Sequence, residues 1–139
     1  MSEPRSWQLC AACGATHDEL MAATRCPACG GLLEIRHAHP GLDAAELRRR
    51  FAAPCCAQPG PPASGVWRFQ EIVLPTATAP VTHPEGNTPL LDRAAVSAFA
   101  GVNRLWLKHE GHNPTGSFKD RGMTVGVSQA VRVGATAVA

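Results

Sequence analysis

The chain has 139 residues, of which 45% are hydrophobic and 17% are charged, a composition typical of a globular protein rather than a disordered one. Thirteen Lys and Arg against eleven Asp and Glu give a net charge of +2, which does not indicate a nucleic-acid partner. No apolar stretch has the length needed to cross a bilayer, so no membrane partner is expected. The opening residues, MSEPRSW, lack the apolar core of a signal peptide, which predicts a cytoplasmic protein whose cysteines are thiols or metal ligands.

Residues 1–38 contain two cysteine pairs and are predicted to form a zinc-ribbon-like segment. The candidate metal ligands are Cys10, Cys13, Cys26 and Cys29. Two CxxC pairs at this distance are typical of a tetrahedral zinc site, and the glycine after each pair permits the left-handed backbone that wraps around the sulfurs. Four thiolates leave no open coordination position, so the zinc is expected to be structural. Two redox-active CxxC motifs, or four buried thiols, are the alternatives.

Residues 39–65 are predicted to form a short helix over 39–53, followed by a linker. Asp43 is a suitable N-cap for this helix, and Glu46 completes a capping-box pattern. The sequence PCCAQPGPPASG at 54–65 is rich in Pro, Gly and Ser, which predicts the linker. The linker contains two adjacent cysteines, Cys55 and Cys56. They are expected to be ordinary linker residues, and a regulatory thiol role is the alternative.

Residues 66–139 are predicted to begin an α/β domain. The predicted elements are a turn at 86–90, a helix over 92–100 ended by Gly101, a strand over 104–110, a loop over 111–116, a helix over 117–133 and a strand over 135–139. The last strand–helix–strand unit favours a parallel pair with a right-handed crossover. Because two parallel strands alone do not form a stable sheet, we expect this domain to be incomplete within 139 residues.

Lys119, in the segment KHEGHNPTGSFKDRGM (108–123), is the candidate catalytic residue. Ser117 as N-cap and Asp120 three residues later form a capping-box pattern that places Lys119 in the first helical turn. A cation there opposes the helix dipole by roughly 0.3–1 kcal/mol, which suits a lysine that acts as a neutral amine and forms a Schiff base with a carbonyl. Ligands of open α/β sheets bind at the carboxyl ends of strands, where this loop lies. On the residues alone, an ordinary surface lysine is an equally good interpretation.

The segment NPTGSFKDRG (113–122) resembles the cofactor-lysine motif of the fold-type II pyridoxal-phosphate enzymes, the tryptophan-synthase-β-like family. GNTPL (86–90) is similar to a second signature of that family. GVWRFQEIVLP (65–75) and the SFKDRGM sequence resemble the threonine synthase branch more than its relatives, and some members of that branch also carry an N-terminal zinc-ribbon-like segment. The resemblance covers residues 65–139 and, in type, residues 8–35.

The resemblance implies that Lys119 is both the catalytic and the cofactor-binding residue, holding pyridoxal phosphate as a Schiff base. It implies a lyase of threonine biosynthesis that converts O-phospho-L-homoserine and water to L-threonine and phosphate, with Lys119 moving protons at the substrate carbons. The family's cofactor-phosphate loop and ring contacts are expected beyond residue 139, so the 139-residue chain alone is expected to be inactive. The alternatives are another member of the family, such as a cysteate synthase or a dehydratase, and a zinc-binding module without catalysis.

Overall fold

The structure, a computed structural model, describes residues 5–52 and 64–138 of the chain. Its strands are β1 (Ser6–Cys10), β2 (Thr16–Asp18), β3 (Leu33–His37), β4 (Leu90–Asp92) and β5 (Trp106–Lys108). Its α-helices are α1 (Ala44–Ala52), α2 (Gln70–Val73), α3 (Ala94–Phe99) and α4 (Asp120–Arg132), with 3-10 turns at Trp67–Phe69 and Glu110–His112. The predicted mixture of helix and strand is confirmed, but the strand pairs of both sheets in the described ranges are antiparallel. In the described ranges, no helix is both long and apolar enough to cross a membrane.

The predicted linker falls outside the described residues except for its last two positions, 64 and 65. The adjacent cysteines of the linker, Cys55 and Cys56, also lie outside them.

Residues 5–38, here called the cysteine module, form a three-stranded antiparallel sheet in the order β2-β1-β3. Alternate residues of the central strand β1 are buried, and Gln8 among them is only 5% exposed. A buried amide needs hydrogen-bond partners, and Gln8 donates to the carbonyl oxygens of Asp18 (3.1 Å) and Met21 (2.7 Å). The central strand therefore fixes the segment that connects the two cysteine pairs.

The helix predicted over 39–53 is observed as α1, which begins at Ala44. Asp43 caps it as predicted, because its Oδ1 accepts a hydrogen bond of 2.8 Å from the backbone N–H of Glu46. The carboxylate of Glu46 does not reach back to complete a capping box. It accepts hydrogen bonds from Arg49 and Arg50 one turn later, and these lower the pKa of Glu46 to about 2.

β4 and β5 form a two-stranded antiparallel sheet in which Leu91 is paired with Leu107. β4 lies between the predicted turn and the predicted helix 92–100, and the sequence pattern does not predict it. α3 connects the two strands and ends at Phe99, and Gly101, which follows its C-cap residue, has a φ of +67°. The N–H of Val102 donates to the carbonyl oxygen of Ser97 at 3.1 Å, which completes a Schellman turn around the predicted C-terminal glycine.

The predicted parallel pair between strands 104–110 and 135–139 is wrong for the described residues. Residues 135–138 adopt no strand conformation, and β5 pairs with β4 instead. The Ala- and Val-rich sequence has the apolar signal of a buried strand, but a strand also needs a neighbour for its backbone groups. No such neighbour lies beside it within 5–52 and 64–138. The N–H of Ala135 instead donates to the carbonyl oxygen of Ala130 at 2.9 Å, in the C-terminal turn of α4.

A small apolar core holds α4 against the segment that precedes β4. Its members are Trp67, Leu74 and Ala77, each 4% exposed, with Val73 and Val125 packed against them. The indole N–H of Trp67 donates to the hydroxyl of Thr124 at 2.8 Å and lies 3.3 Å from the carbonyl oxygen of Val81. The hydroxyl of Ser128 accepts a hydrogen bond of 2.9 Å from the N–H of Val81. These contacts fix the orientation of α4, the helix that follows Lys119.

Candidate active site and metal centre

The residues from 111 to 119, here called the lysine loop, are held in place by the side chain of Asn113, which is 4% exposed. Its amide nitrogen donates to the carbonyl oxygen (2.8 Å) and to the carboxylate (3.0 Å) of Glu110. Its amide oxygen accepts a hydrogen bond of 2.9 Å from the backbone N–H of Gly86. One buried side chain therefore joins the lysine loop to the GNTPL turn.

Glu110 and Arg121 connect the two ends of the lysine loop. Nε and Nη2 of Arg121 donate to the two carboxylate oxygens of Glu110, at 2.8 and 3.0 Å, in the bidentate geometry of a charge-assisted pair. The hydroxyl of Thr88 donates to the same carboxylate at 2.7 Å and accepts from Arg121 at 3.1 Å. The hydrogen bonds from Arg121 and then Thr88 lower the pKa of Glu110 to about 2.

Lys119 is the N-cap residue of α4, which begins at Asp120. Its backbone N–H donates to the hydroxyl of Ser117 at 3.2 Å. The carboxylate of Asp120 accepts hydrogen bonds from the backbone N–H and the hydroxyl of Thr115, and these lower the pKa of Asp120. The predicted capping box between Ser117 and Asp120 is therefore wrong. Both side chains instead stabilise the backbone of the lysine loop immediately before the helix.

The side chain of Lys119 is exposed, and its amine makes no hydrogen bond or ion pair with any residue that the structure describes. The other lysine of the chain, Lys108, differs in this respect. Its Nζ donates to the backbone carbonyl oxygen of Thr88. Of the two lysine amines in the sequence, the amine of Lys119 is the one left available for a bond to a ligand.

An open cleft of about 340 Å³ lies along the N-terminal half of α4. It is lined by residues between Val81 and Glu85, by Pro114 and Thr115, and by α4 side chains from Asp120 to Val127. Lys119 itself does not line the cleft, although the next residue in the chain does. The structure therefore does not place Lys119 among the residues that line this cleft.

Glu85 is the most buried charged residue of the cleft wall, with 2% of its surface exposed. Its carboxylate accepts hydrogen bonds from the hydroxyls of Ser64 and Thr82 and from the backbone N–H of His83. Burial raises the pKa of Glu85, but these hydrogen bonds outweigh it, and the pKa is lowered overall. The side chain thereby holds the start of the described segment 64–138 against the turn before β4.

The GNTPL turn and the residues before Trp67 approach each other so closely that only glycine fits at the contact. A Cβ atom on Gly65 would lie 2.1 Å from the backbone nitrogen of Asn87. A Cβ atom on Gly86 would lie 2.7 Å from the Cα of Gly65, and Gly86 also has a φ of +83°. Asn87 adopts a φ of +49°, a left-handed conformation that Asn tolerates better than most residues. These residues occur in two of the three sequences that carry the family resemblance, GVWRFQEIVLP and GNTPL.

The four cysteines of the two CxxC pairs converge at one end of the cysteine module. Their Sγ atoms all lie within 4.8 Å of one another. The Sγ–Sγ distances are 3.5 Å for Cys10–Cys29 and 3.8 Å for Cys13–Cys26. A tetrahedral zinc with bonds of about 2.3 Å to sulfur separates its ligands by about 3.8 Å, so these positions fit a zinc ion.

Two glycine turns and one close packing contact shape this cluster. Gly14 and Gly30 both have a φ of +75°, as predicted, and each closes a turn onto the carbonyl oxygen of the first cysteine of its pair. A Cβ atom on Gly31 would lie 3.0 Å from the Sγ of Cys10 and 2.7 Å from the Cβ of Ala12. The backbone N–H of Cys13 lies 3.5 Å from the Sγ of Cys10 and lowers the pKa of the Cys10 thiol to about 6.

Comparison with known proteins gives a family match for the C-terminal part of the chain. Residues 81–139 match the family described as pyridoxal-phosphate dependent enzyme. This part of the chain is similar to that family. It contains β4, β5, the lysine loop and α4, and the predicted resemblance to the fold-type II pyridoxal-phosphate enzymes is therefore confirmed.

The chain is also similar to threonine synthases over most of its length. The protein of Methanosarcina acetivorans is 36% identical over 130 residues, which cover 94% of this chain and 29% of that protein. The protein of Methanocaldococcus jannaschii is 38% identical over 136 residues, covering 94% and 30%. That of Synechocystis is 43% identical over 96 residues, covering 63% and 24%. The predicted resemblance to this branch of the pyridoxal-phosphate family is confirmed, and the chain spans less than a third of the length of these relatives.

The sequence identifies Lys119 and the four cysteines as candidates but does not reveal the polar residues that hold the lysine loop. Glu110 and Arg121 are eleven positions apart across a loop, so no helical or strand spacing pairs them. Asn113 carries a weak signal, because an Asn before a Pro in a glycine-rich stretch predicts a turn. Its contact with Gly86 depends on the fold and has no counterpart in the local sequence.

Proposed function

We propose that Lys119 binds pyridoxal phosphate and is the catalytic residue of this chain. The observation that carries the proposal is that the amine of Lys119 makes no hydrogen bond or ion pair with the described residues. Lys119 lies at the end of a loop whose backbone is held by the side chains of Asn113 and Asp120. A primary amine without a competing partner can bond to the carbonyl carbon of the cofactor. The match of residues 81–139 to the pyridoxal-phosphate family supports the same assignment.

Bound pyridoxal phosphate supplies an electron sink that stabilises negative charge at a substrate carbon. The residues of this chain have separate tasks around it. Lys119 holds the cofactor through Nζ and, when released from it, carries protons at the same atom to and from the substrate. Asn113 and the Glu110–Arg121 pair keep the loop from shifting, so that Nζ starts each step from one position.

The proposed reaction is that of a threonine synthase, in which O-phospho-L-homoserine and water yield L-threonine and phosphate. Similarity to two proteins named threonine synthase supports threonine as the product, and O-phospho-L-homoserine as the substrate follows from the family resemblance. Because the chain spans less than a third of their length, other contacts to cofactor and substrate are proposed to come from outside residues 1–139. We accordingly propose no turnover by the 139 residues alone, and we retain the predicted cytoplasmic location.

We further propose that Cys10, Cys13, Cys26 and Cys29 hold a structural zinc ion. The proposal rests on the mutual distances of the four Sγ atoms and on the close fit of Gly31 beside them. The proposed division of the chain is a zinc-ribbon-like segment over 1–38, a helix and linker over 39–65, and the pyridoxal-phosphate domain over 66–139.

Reductive trapping tests the role of Lys119, because the chain contains only two lysines. The protein that carries residues 1–139 together with any further domain is mixed with pyridoxal phosphate, reduced with borohydride, digested and analysed by mass spectrometry. We expect the reduced adduct on Lys119 well in excess of Lys108, lost in Lys119→Arg and kept in the matched control Lys108→Arg. Equal labelling of the two lysines would contradict the proposal.

Product analysis tests the substrate in the protein that carries residues 1–139 together with any further domain. O-phospho-L-homoserine should yield threonine and phosphate in a ratio of one to one. Formation of a sulfonated product with sulfite, or of a keto acid from a hydroxyamino acid, would instead favour a cysteate synthase or a dehydratase. Trapping on Lys119 without threonine formation would leave the cofactor assignment intact and overturn the substrate.

A further inference from the structure

The turn between the two cysteine pairs is packed against the C-terminal half of α4. The carboxylate of Glu19 accepts hydrogen bonds from the guanidinium of Arg132 (2.9 Å) and from the hydroxyl of Thr76 (2.8 Å). The backbone carbonyl oxygen of Glu19 accepts a third hydrogen bond, of 2.7 Å, from the side-chain amide of Gln129. Glu19 and Arg132 are 113 positions apart in the chain, so this contact joins the cysteine module to the helix after Lys119.

This contact is better buried than other charged contacts of the molecule. The side chains of Glu19 and Arg132 are 15% and 17% exposed, less than in any other ion pair among residues 5–52 and 64–138. Gln129 also accepts a hydrogen bond of 2.7 Å from Arg132, and Arg132 donates to Thr76 at 3.0 Å. Each polar group in the contact therefore has a partner, and removal of one member leaves the others partly desolvated and unpaired.

The same turn is tied to the cysteine cluster. Gln8, two residues before Cys10, donates to the carbonyl oxygens on either side of Glu19, those of Asp18 and Met21. On the strand that leads into the turn, Nε2 of His17 lies 3.4 Å from the Sγ of Cys26. The position of Glu19 therefore depends on the same short strands that bring the four sulfurs together.

We infer that Glu19 is a positioning residue that couples metal binding in the cysteine module to the order of α4, so that loss of zinc loosens the helix that follows Lys119. The inference rests on the proposed zinc site and not on the proposed chemistry of Lys119. Coupling of this kind is reciprocal. If a contact from α4 raises the zinc affinity of the cysteine module, then zinc binding must stabilise α4 by the same free energy. A residue that only adds stability to its own helix would not change the affinity of a metal site more than a hundred positions away.

The test measures zinc affinity and helix order in the same chain of residues 1–139. Zinc dissociation constants are obtained by competition with a chelating dye, and amide hydrogen exchange is followed for residues 126–132 with and without zinc. Arg132→Met should raise the zinc dissociation constant about tenfold, because coupling free energies between two sites in a protein are typically of that magnitude. The matched control Arg104→Met removes an arginine from the exposed pair with Asp92 and should leave zinc affinity unchanged.

Zinc removal should accelerate exchange over 126–132 by about tenfold in the unmodified chain, and Glu19→Gln should show fast exchange even with zinc bound. Unchanged zinc affinity in Arg132→Met, or equal exchange with and without zinc, would overturn the coupling while leaving the zinc site in place. A chain that binds no zinc would overturn both the zinc site and the coupling. Neither result bears on trapping at Lys119, which is measured separately.

Discussion

The guanidinium of Arg121 and the carboxylate of Glu110 form a bidentate pair that closes the base of the lysine loop. Arg121 lies two residues after Lys119, and Glu110 lies one residue before the loop begins. The loop is therefore anchored at both ends to one ion pair, and the buried Asn113 joins its middle to the GNTPL turn. The rigidity of the lysine site arises from polar contacts, because the apolar core of this part of the chain is small.

Glu110→Gln should make the free energy of unfolding less dependent on pH in acid. The pKa of Glu110 is lowered from its ordinary value of 4.5 to about 2 in the folded protein. A depressed carboxyl pKa contributes stability above pH 4.5, and that contribution is lost as the pH falls toward 2. Urea unfolding at pH 7 and pH 3 should show a difference between the two proteins that shrinks at the lower pH. Glu34→Gln, which breaks the exposed pair with Arg36, is the control and should have little effect at either pH.

Gly65→Ala should destabilise the protein by about 3 kcal/mol, because the added methyl group would collide with the backbone of the GNTPL turn. The nearest atom is the backbone nitrogen of Asn87, which belongs to the GNTPL turn. It can move only if that turn, which is hydrogen-bonded to Asn113, moves with it. Gly126→Ala is the matched control, since a Cβ atom there meets nothing within 4 Å. It lies within α4 and should stabilise the protein by roughly 0.5–1 kcal/mol. Urea midpoints of the two variants that shift in the same direction would contradict the steric argument.

The sequence predicted those features that depend on local chemistry. Asp43 caps α1, and Gly101 follows α3 in a left-handed conformation, because each choice is decided by backbone groups within one turn. The glycines after the first and second cysteine pairs adopt the left-handed conformation for the same reason.

Features that depend on distant partners could not be read from the sequence. The strand predicted over 135–139 has the right residues but no neighbour among the described strands, whereas β4 exists because β5 lies beside it. Asp120 has the spacing of a capping box with Ser117, yet it bonds to Thr115, because the loop folds back across the helix start. Lys119 was identified because its motif is contiguous, while the Glu110–Arg121 pair is formed only by the fold.

Thr124→Val should destabilise the protein by about 1–2 kcal/mol with almost no change in side-chain volume. The hydroxyl of Thr124 accepts the indole N–H of Trp67 and donates to the carbonyl oxygen of Val81 at 2.6 Å. Valine leaves both groups underbonded in a buried site. Thr124→Ser keeps the hydroxyl and loses one methyl group, so it should cost less than the valine variant. Urea unfolding monitored by tryptophan fluorescence gives both values, and a larger loss for serine would show that packing rather than hydrogen bonding dominates.

Gly31→Ala should weaken zinc binding by roughly tenfold or more without removing a ligand. The added Cβ atom would lie 3.0 Å from the Sγ of Cys10 and 2.7 Å from the Cβ of Ala12. The backbone around at least one of the two cysteine pairs must therefore move. Because a tetrahedral site tolerates little change in its sulfur positions, the displacement should appear in the zinc dissociation constant measured by chelator competition. Ala12→Gly in the same chain removes the shortest of these contacts and should restore part of the affinity. Gly126→Ala, outside the cysteine module, should leave zinc binding unchanged, and an unaltered affinity in Gly31→Ala would contradict a zinc site shaped by this contact.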